Sequence, residues 1–131
     1  MIGLDTNVLV RYIMQDDPKQ ARLATKLVES LTPDAPGFVS VVTVVELAWV
    51  LSSCFELSRA DIARALETLM RTKELVVERI DVVWRALRIF RGGSADLADC
   101  LIERSAAAAG CDRTMTFDRD AAKHGGMTLL S

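Results

Sequence analysis

The sequence predicts an α/β fold, a three-layer α/β/α sandwich with a central, mostly parallel sheet of four to five strands. Two observations predict it. Short apolar runs such as Ile2-Gly3-Leu4, Phe38-Val39 and Leu75-Val76-Val77 read as buried strands. Between them lie longer segments with apolar residues at helical spacing, and that alternation is the pattern of a parallel sheet covered by helices on both faces. The 131 residues are 50% hydrophobic with a mean hydropathy of +0.23. That is enough to build one folded domain, residues 1–131, with a substantial core, and it excludes a disordered chain.

Taken in order, Ile2–Asp5 is predicted as the first strand and Asn7–Met14 as a helix carrying Val8, Leu9, Tyr12 and Ile13 at helical spacing. Asp17-Pro18 starts the next helix, with Asp17 as N-cap and proline at the first helical position. Its apolar stripe is Ala21, Ala24, Leu27, Val28 and Leu31. Thr32–Gly37 is a loop and Phe38–Ser40 a second strand. Thr43–Phe55 is apolar on nearly every side and reads as a central, buried helix. Ser58 starts a further helix with Ile62, Ala65, Leu66 and Leu69 on one face, and Leu75–Val77 is a third strand. Asp81–Phe90 is helical through Val83, Trp84, Leu87 and Phe90. After Gly92-Gly93, Ser94 is expected to cap a helix over Ala95–Ala109, which Gly110 ends. Arg113–Phe117 is a fourth strand, Asp120–His124 a helical turn and Met127–Leu130 a fifth strand.

Several function classes are unfavoured by composition. A net charge of −2 gives no global sign of nucleic-acid binding, although a local basic rim is compatible with it. No charge-free run approaches the ~18 residues of a membrane span. The opening Met1–Asp5 lacks the basic start of a signal peptide, so a cytoplasmic protein is expected. Cys54, Cys100 and Cys111 have no metal-ligand spacing and are expected to be reduced core residues. With His124 the single histidine, a histidine-rich zinc site is excluded.

The informative residues are acids. Asp5 ends the apolar opening, Glu46 interrupts the apolar run Phe38–Leu51, Asp99 lies within a small, apolar segment, and Asp118 follows Met115-Thr116-Phe117. Ionised carboxylates are rarely buried unless paired or metal-bound. Each has an ordinary structural reading. Asp5 and Asp118 suit N-caps, Thr43-x-x-Glu46 matches a capping box, and Asp96 and Asp99 favour a helix N-terminus. Together they suggest a shared polar site at the carboxyl ends of the strands. Two carboxylates about 5 Å apart repel by roughly 3 kcal/mol at an effective dielectric near 20. A cluster therefore takes up protons or a cation, and an all-oxygen set suits Mg²⁺ or Mn²⁺. Such an ion activates water and neutralises a phosphoryl transition state, which points to phosphodiester hydrolysis.

Asp5-Thr6-Asn7-Val8-Leu9, Val42–Leu47, Ala95–Ile102 and Thr116–Asp120 resemble, in order, the acidic motifs of the PIN-domain nucleases, and the size and opening resemble their VapC-type toxins. The resemblance implies a Mg²⁺- or Mn²⁺-dependent endoribonuclease, often a homodimer, acting on RNA and restrained by an antitoxin protein. It makes Asp5, Glu46 and Asp99 the principal catalytic and metal-site acids, with Asp118 completing the site through water. Thr6 and Asn7 would orient Asp5, Asp96 would share the acidic face, and Arg119 would contact a phosphate. Trp49, Trp84 and Phe90 stand as anchors for buried surfaces, ordinary core packing or a dimer contact. An RNA-processing nuclease without a toxin role and a non-catalytic RNA- or protein-binding module are the competing readings.

Overall fold

Side-chain caps decide where most of the helices begin. In the computed structural model, which describes residues Met1–Ser131, α1 (Thr6–Met14) follows the N-cap Asp5 and α2 (Pro18–Glu29) follows Asp17. Ser40 caps α3 (Val41–Ser53) and Ser58 caps α4 (Arg59–Arg71). Each cap's oxygen accepts a backbone N–H that the first turn leaves without an intrahelical partner. These helices alternate with β1 (Ile2–Gly3), β2 (Gly37–Val39) and β3 (Leu75–Val77). The three strands form a parallel sheet in the order β1-β2-β3, with Ile2 opposite Gly37 and Gly37 opposite Leu75. Together they make one compact unit, Met1–Glu78. Its core includes Leu9, Val39, Leu47 and Leu51, all with no exposed surface.

The second unit, Arg79–Ser131, holds α5 (Ile80–Gly92), α6 (Leu97–Ala108), β4 (Met115–Thr116), α7 (Arg119–His124) and β5 (Thr128–Leu129). Here α5 packs on α6, and Val83, Leu87 and Phe90 of the first and Leu97, Cys100 and Leu101 of the second are all buried. β4 and β5 form a parallel pair, with α7 between them in sequence.

The five parallel strands match the expected α/β class, but they are hydrogen-bonded in ladders of three and two and are shorter than expected. Residues assigned to strand ends serve as caps instead: Asp5 and Ser40 begin helices. The expected cap of α6 also shifts. Asp96, in extended conformation, accepts the Asp99 amide at 2.8 Å, so the helix starts at Leu97 and Ser94 stays in the preceding turn. The Thr43–Glu46 capping box does not form, because Ser40 starts α3 three residues earlier and Glu46 falls in the second turn. Nor is α3 wholly buried: Val42 and Trp49, seven residues apart and so on one face of the helix, are 76% and 63% exposed. Cys100 is a core residue as expected, whereas Cys54 and Cys111 follow helix ends and are exposed.

Gly37 sits in the middle strand where a β-carbon would lie 2.9 Å from methyls of both Leu4 and Leu31 and 3.1 Å from one of Leu75. Gly37→Val is therefore expected to destabilise by about 1–3 kcal/mol through overpacking. Gly3→Ala, with no atom within 4 Å of its new carbon, should stay within about 0.5 kcal/mol of wild type. Urea unfolding of the two variants checks the contrast.

Candidate active site

In the first unit one buried threonine holds two acids. Asp5 leaves β1 and caps α1, its Oδ1 accepting the Thr6 backbone N–H at 2.7 Å. The Thr6 hydroxyl donates to Oε1 of Glu46, forty residues away in sequence. This contact exists because α1 packs on α3. The start of α3 is fixed twice over: Ser40 Oγ accepts the Thr43 N–H at 3.1 Å and Glu78 Oε1 accepts the Val41 N–H at 2.9 Å. That sets the helical phase that turns Glu46 toward Thr6. β1 and β2 run parallel as neighbours, so Asp5 and the start of α3 share the carboxyl edge of their sheet. Asn7 is exposed and lines a crevice between α1 and α2 with Val8, Arg11, Gln20 and Leu23, away from a direct bond to Asp5.

In the second unit three acids crowd together. Asp96 caps α6 and Asp99 stands in its first turn, half-buried. Burial of its carboxyl pushes the Asp99 pKa above the usual carboxylate range, and the negative charges of Asp96 and Asp118 push it further the same way. Asp118 reaches this position as the N-cap of α7, its Oδ1 accepting from Asp120 N at 2.8 Å and Ala121 N at 3.3 Å. Its own N–H donates to Thr116 Oγ1 at 3.0 Å, which fixes the turn leaving β4. Arg119 is the exposed first residue of α7.

The predicted acids thus fall into two sets, Asp5 with Glu46 and Asp96 with Asp99 and Asp118. Within neither unit do three or more histidine, cysteine or acidic side chains close into a cage for an ion. The three carboxylates of the second set are nevertheless hard oxygen donors of the kind that suits such a cation, and their repulsion raises Asp99 beyond the effect of burial.

Two features escaped the sequence reading. The Thr6–Glu46 bond depends on tertiary packing and has no local signal. Glu103, one helical turn after Asp99, is buried, and its carboxylate is held by Arg104 through Nε–Oε1 at 2.5 Å and Nη2–Oε2 at 2.8 Å. An acid four residues beyond Asp99 in an alanine-rich helix was a legible sign of an inward-facing charge. Its arginine partner makes it a neutralised structural pair rather than a free ligand.

The PIN-domain family profile matches residues 2–127, across both units. The chain belongs to the PIN-domain family and has its fold, and members of that family are in general metal-dependent nucleases. No curated protein matches the chain. No helix is long and apolar enough to cross a membrane.

The raised pKa of Asp99 fixes the sign of a stability effect. A folded-state pKa above the unfolded one means that ionising Asp99 opposes folding. The penalty is absent below the ordinary carboxylate pKa, near 4, and is complete once pH exceeds the raised value. Asp99→Asn is therefore expected to be more stable than wild type at neutral pH, with the advantage shrinking on acidification. Thermal unfolding of both proteins across pH 3 to about 8 tests this. A variant equally destabilised at every pH would show that the repulsion is unimportant.

Proposed function

We propose that the chain is a Mg²⁺- or Mn²⁺-dependent endoribonuclease, the toxin of a toxin–antitoxin pair. The observation that carries this reading is the trio Asp96, Asp99 and Asp118, held together against its own repulsion. A module that only bound RNA would gain nothing from gathering negative charge beside a polyanion.

Asp5, Glu46 and Asp99 would hold the ion, with Asp118 contributing through water. A cation there supplies a Lewis acid for the phosphoryl oxygens and lowers the pKa of a water. The protein's own residues do the positioning. Thr6 fixes the carboxylates of Asp5 and Glu46 by donating to both. Asp118 Oδ1 is committed to the start of α7, so its other oxygen is the one free to turn outward. Arg119 would bind a substrate phosphate.

The toxin role brings two protein partners. An antitoxin's arginine or lysine would enter the acidic pocket and compete with the cation. A homodimer would cover apolar surface such as Val42 and Trp49, seven residues apart on α3 and both exposed. The protein would act in the cytoplasm, where its RNA substrates are.

Purified protein is expected to cleave single-stranded RNA with Mg²⁺ or Mn²⁺ and to stop in excess EDTA. Asp5→Asn, Glu46→Gln and Asp99→Asn should lose activity by about 10²-fold or more while remaining folded, and Asp118→Asn should lose less. Thr6→Val should raise no fold defect beyond about 1–3 kcal/mol yet lower activity, and Thr6→Ser should restore it. Cleavage undiminished in EDTA would contradict the mechanism. Expression that arrests bacterial growth, requires Asp5 and is relieved by the neighbouring gene would support the toxin role. Harmless expression of an active enzyme would favour an RNA-processing nuclease, and a monomer mass by light scattering would remove the dimer.

A further inference from the structure

We infer that Phe117 is a base-stacking residue that receives a nucleobase next to the scissile phosphate of single-stranded RNA. This rests on the nuclease reading above and extends it to how the substrate is held.

At 80% exposure Phe117 is the most exposed of the large apolar side chains. Burying a phenylalanine is worth about 1.5–3 kcal/mol, and the fold forgoes nearly all of it here. The backbone that carries it is nonetheless fixed. Thr116 O accepts the Leu130 N–H at 2.7 Å, Thr116 Oγ1 accepts the Asp118 N–H at 3.0 Å, and Asp118 Oδ1 accepts the amides of Asp120 and Ala121. The backbone on both sides of residue 117 is therefore tied down, so a stacking base would order only the ring's own two side-chain torsions.

Its neighbours identify the ligand. Asp118, the next residue, belongs to the crowded carboxylates, and Arg119 follows as an exposed cation. One turn thus offers a π-face, a positive charge for phosphate and a carboxylate of the proposed hydrolytic site. That combination suits an unpaired nucleotide, whose base stacks while its phosphate meets the cation. A protein-docking anchor would sit in an apolar, desolvated setting. Exposed apolar residues do flank Phe117 on and next to β4 and β5, namely Met115, Leu129 and Leu130, but three charged, exposed residues, Asp118, Arg119 and Asp120, follow it directly. Because every base has a π-face, the contact would strengthen binding of single strands with little preference for one base.

The test uses the full chain with a fluorescent single-stranded oligoribonucleotide, binding measured by anisotropy in EDTA and KM measured with Mn²⁺. Phe117→Ala and Phe117→Leu should weaken both about tenfold, Phe117→Trp should hold the wild-type value, and thermal stability should be unchanged. An abasic nucleotide is then walked through the oligonucleotide. At one position beside the cleaved bond, wild type should fall to the level of Phe117→Ala, and the substitution should cost nothing further. Binding unaffected by Phe117→Ala, full rescue by leucine, or equal losses at every abasic position would overturn the inference. So would Phe117→Ala shifting only the oligomeric mass, which would make the ring a protein contact. The two readings fail separately: stacking in EDTA without cleavage in any metal removes the nuclease, whereas cleavage indifferent to Phe117 removes the stacking.

Discussion

Thr6 is the constraint on which the first unit's chemistry depends. Its amide holds Asp5 and its hydroxyl holds Glu46, so two carboxylates from different elements are aimed by one side chain. Glu46 can be reached only if α3 starts in the right phase, which Ser40 and Glu78 ensure by capping its first turn. Asp5 can be reached only if β1 ends early enough for it to become a cap. The parallel pairing of β1 and β2 then brings both helix starts to one sheet edge. Each local choice is an ordinary cap, and their joint product is a pair of fixed acids.

The second unit handles charge differently. Glu103 is buried beside Arg104 and is electrostatically satisfied. Asp99, one turn earlier, faces Asp96 and Asp118 and is not. A protein selected for stability alone would replace one of the three. Under the proposed function, keeping them is a trade between stability and activity. The caps also matter here, since Asp96 and Asp118 each stabilise a helix N-terminus with one oxygen. Each cap uses one carboxylate oxygen, so the capping role does not consume the whole side chain.

Much of this was legible in the sequence. Helix positions followed from apolar spacing, and Asp17-Pro18 and Ser58 were read directly as starts. Strand lengths were not, because two- and three-residue strands carry too little pattern to separate a strand end from a cap. The Ser94 expectation failed for a similar reason: serine and aspartate both cap, and only backbone conformation decides between Ser94 and Asp96. The acids stood out because each interrupts an apolar border. What joins them did not, since the Thr6–Glu46 bond spans forty residues and exists only through packing of α1 on α3. Exposure of Phe117 and Trp49 was equally hidden, as a hydrophobic residue in an apolar run reads as core until its surroundings are known.

The central claim of the proposed function is that the crowded carboxylates Asp96, Asp99 and Asp118 take up a metal ion, and metal-dependent stabilisation of the folded state tests it most directly. A ligand that binds only the folded protein raises the melting temperature by an amount set by its concentration and affinity. The account predicts that Mn²⁺ raises the melting temperature of the wild type, and that Asp99→Asn abolishes most of that rise. An undiminished rise in that variant, or no rise in the wild type at millimolar Mn²⁺, would contradict the account.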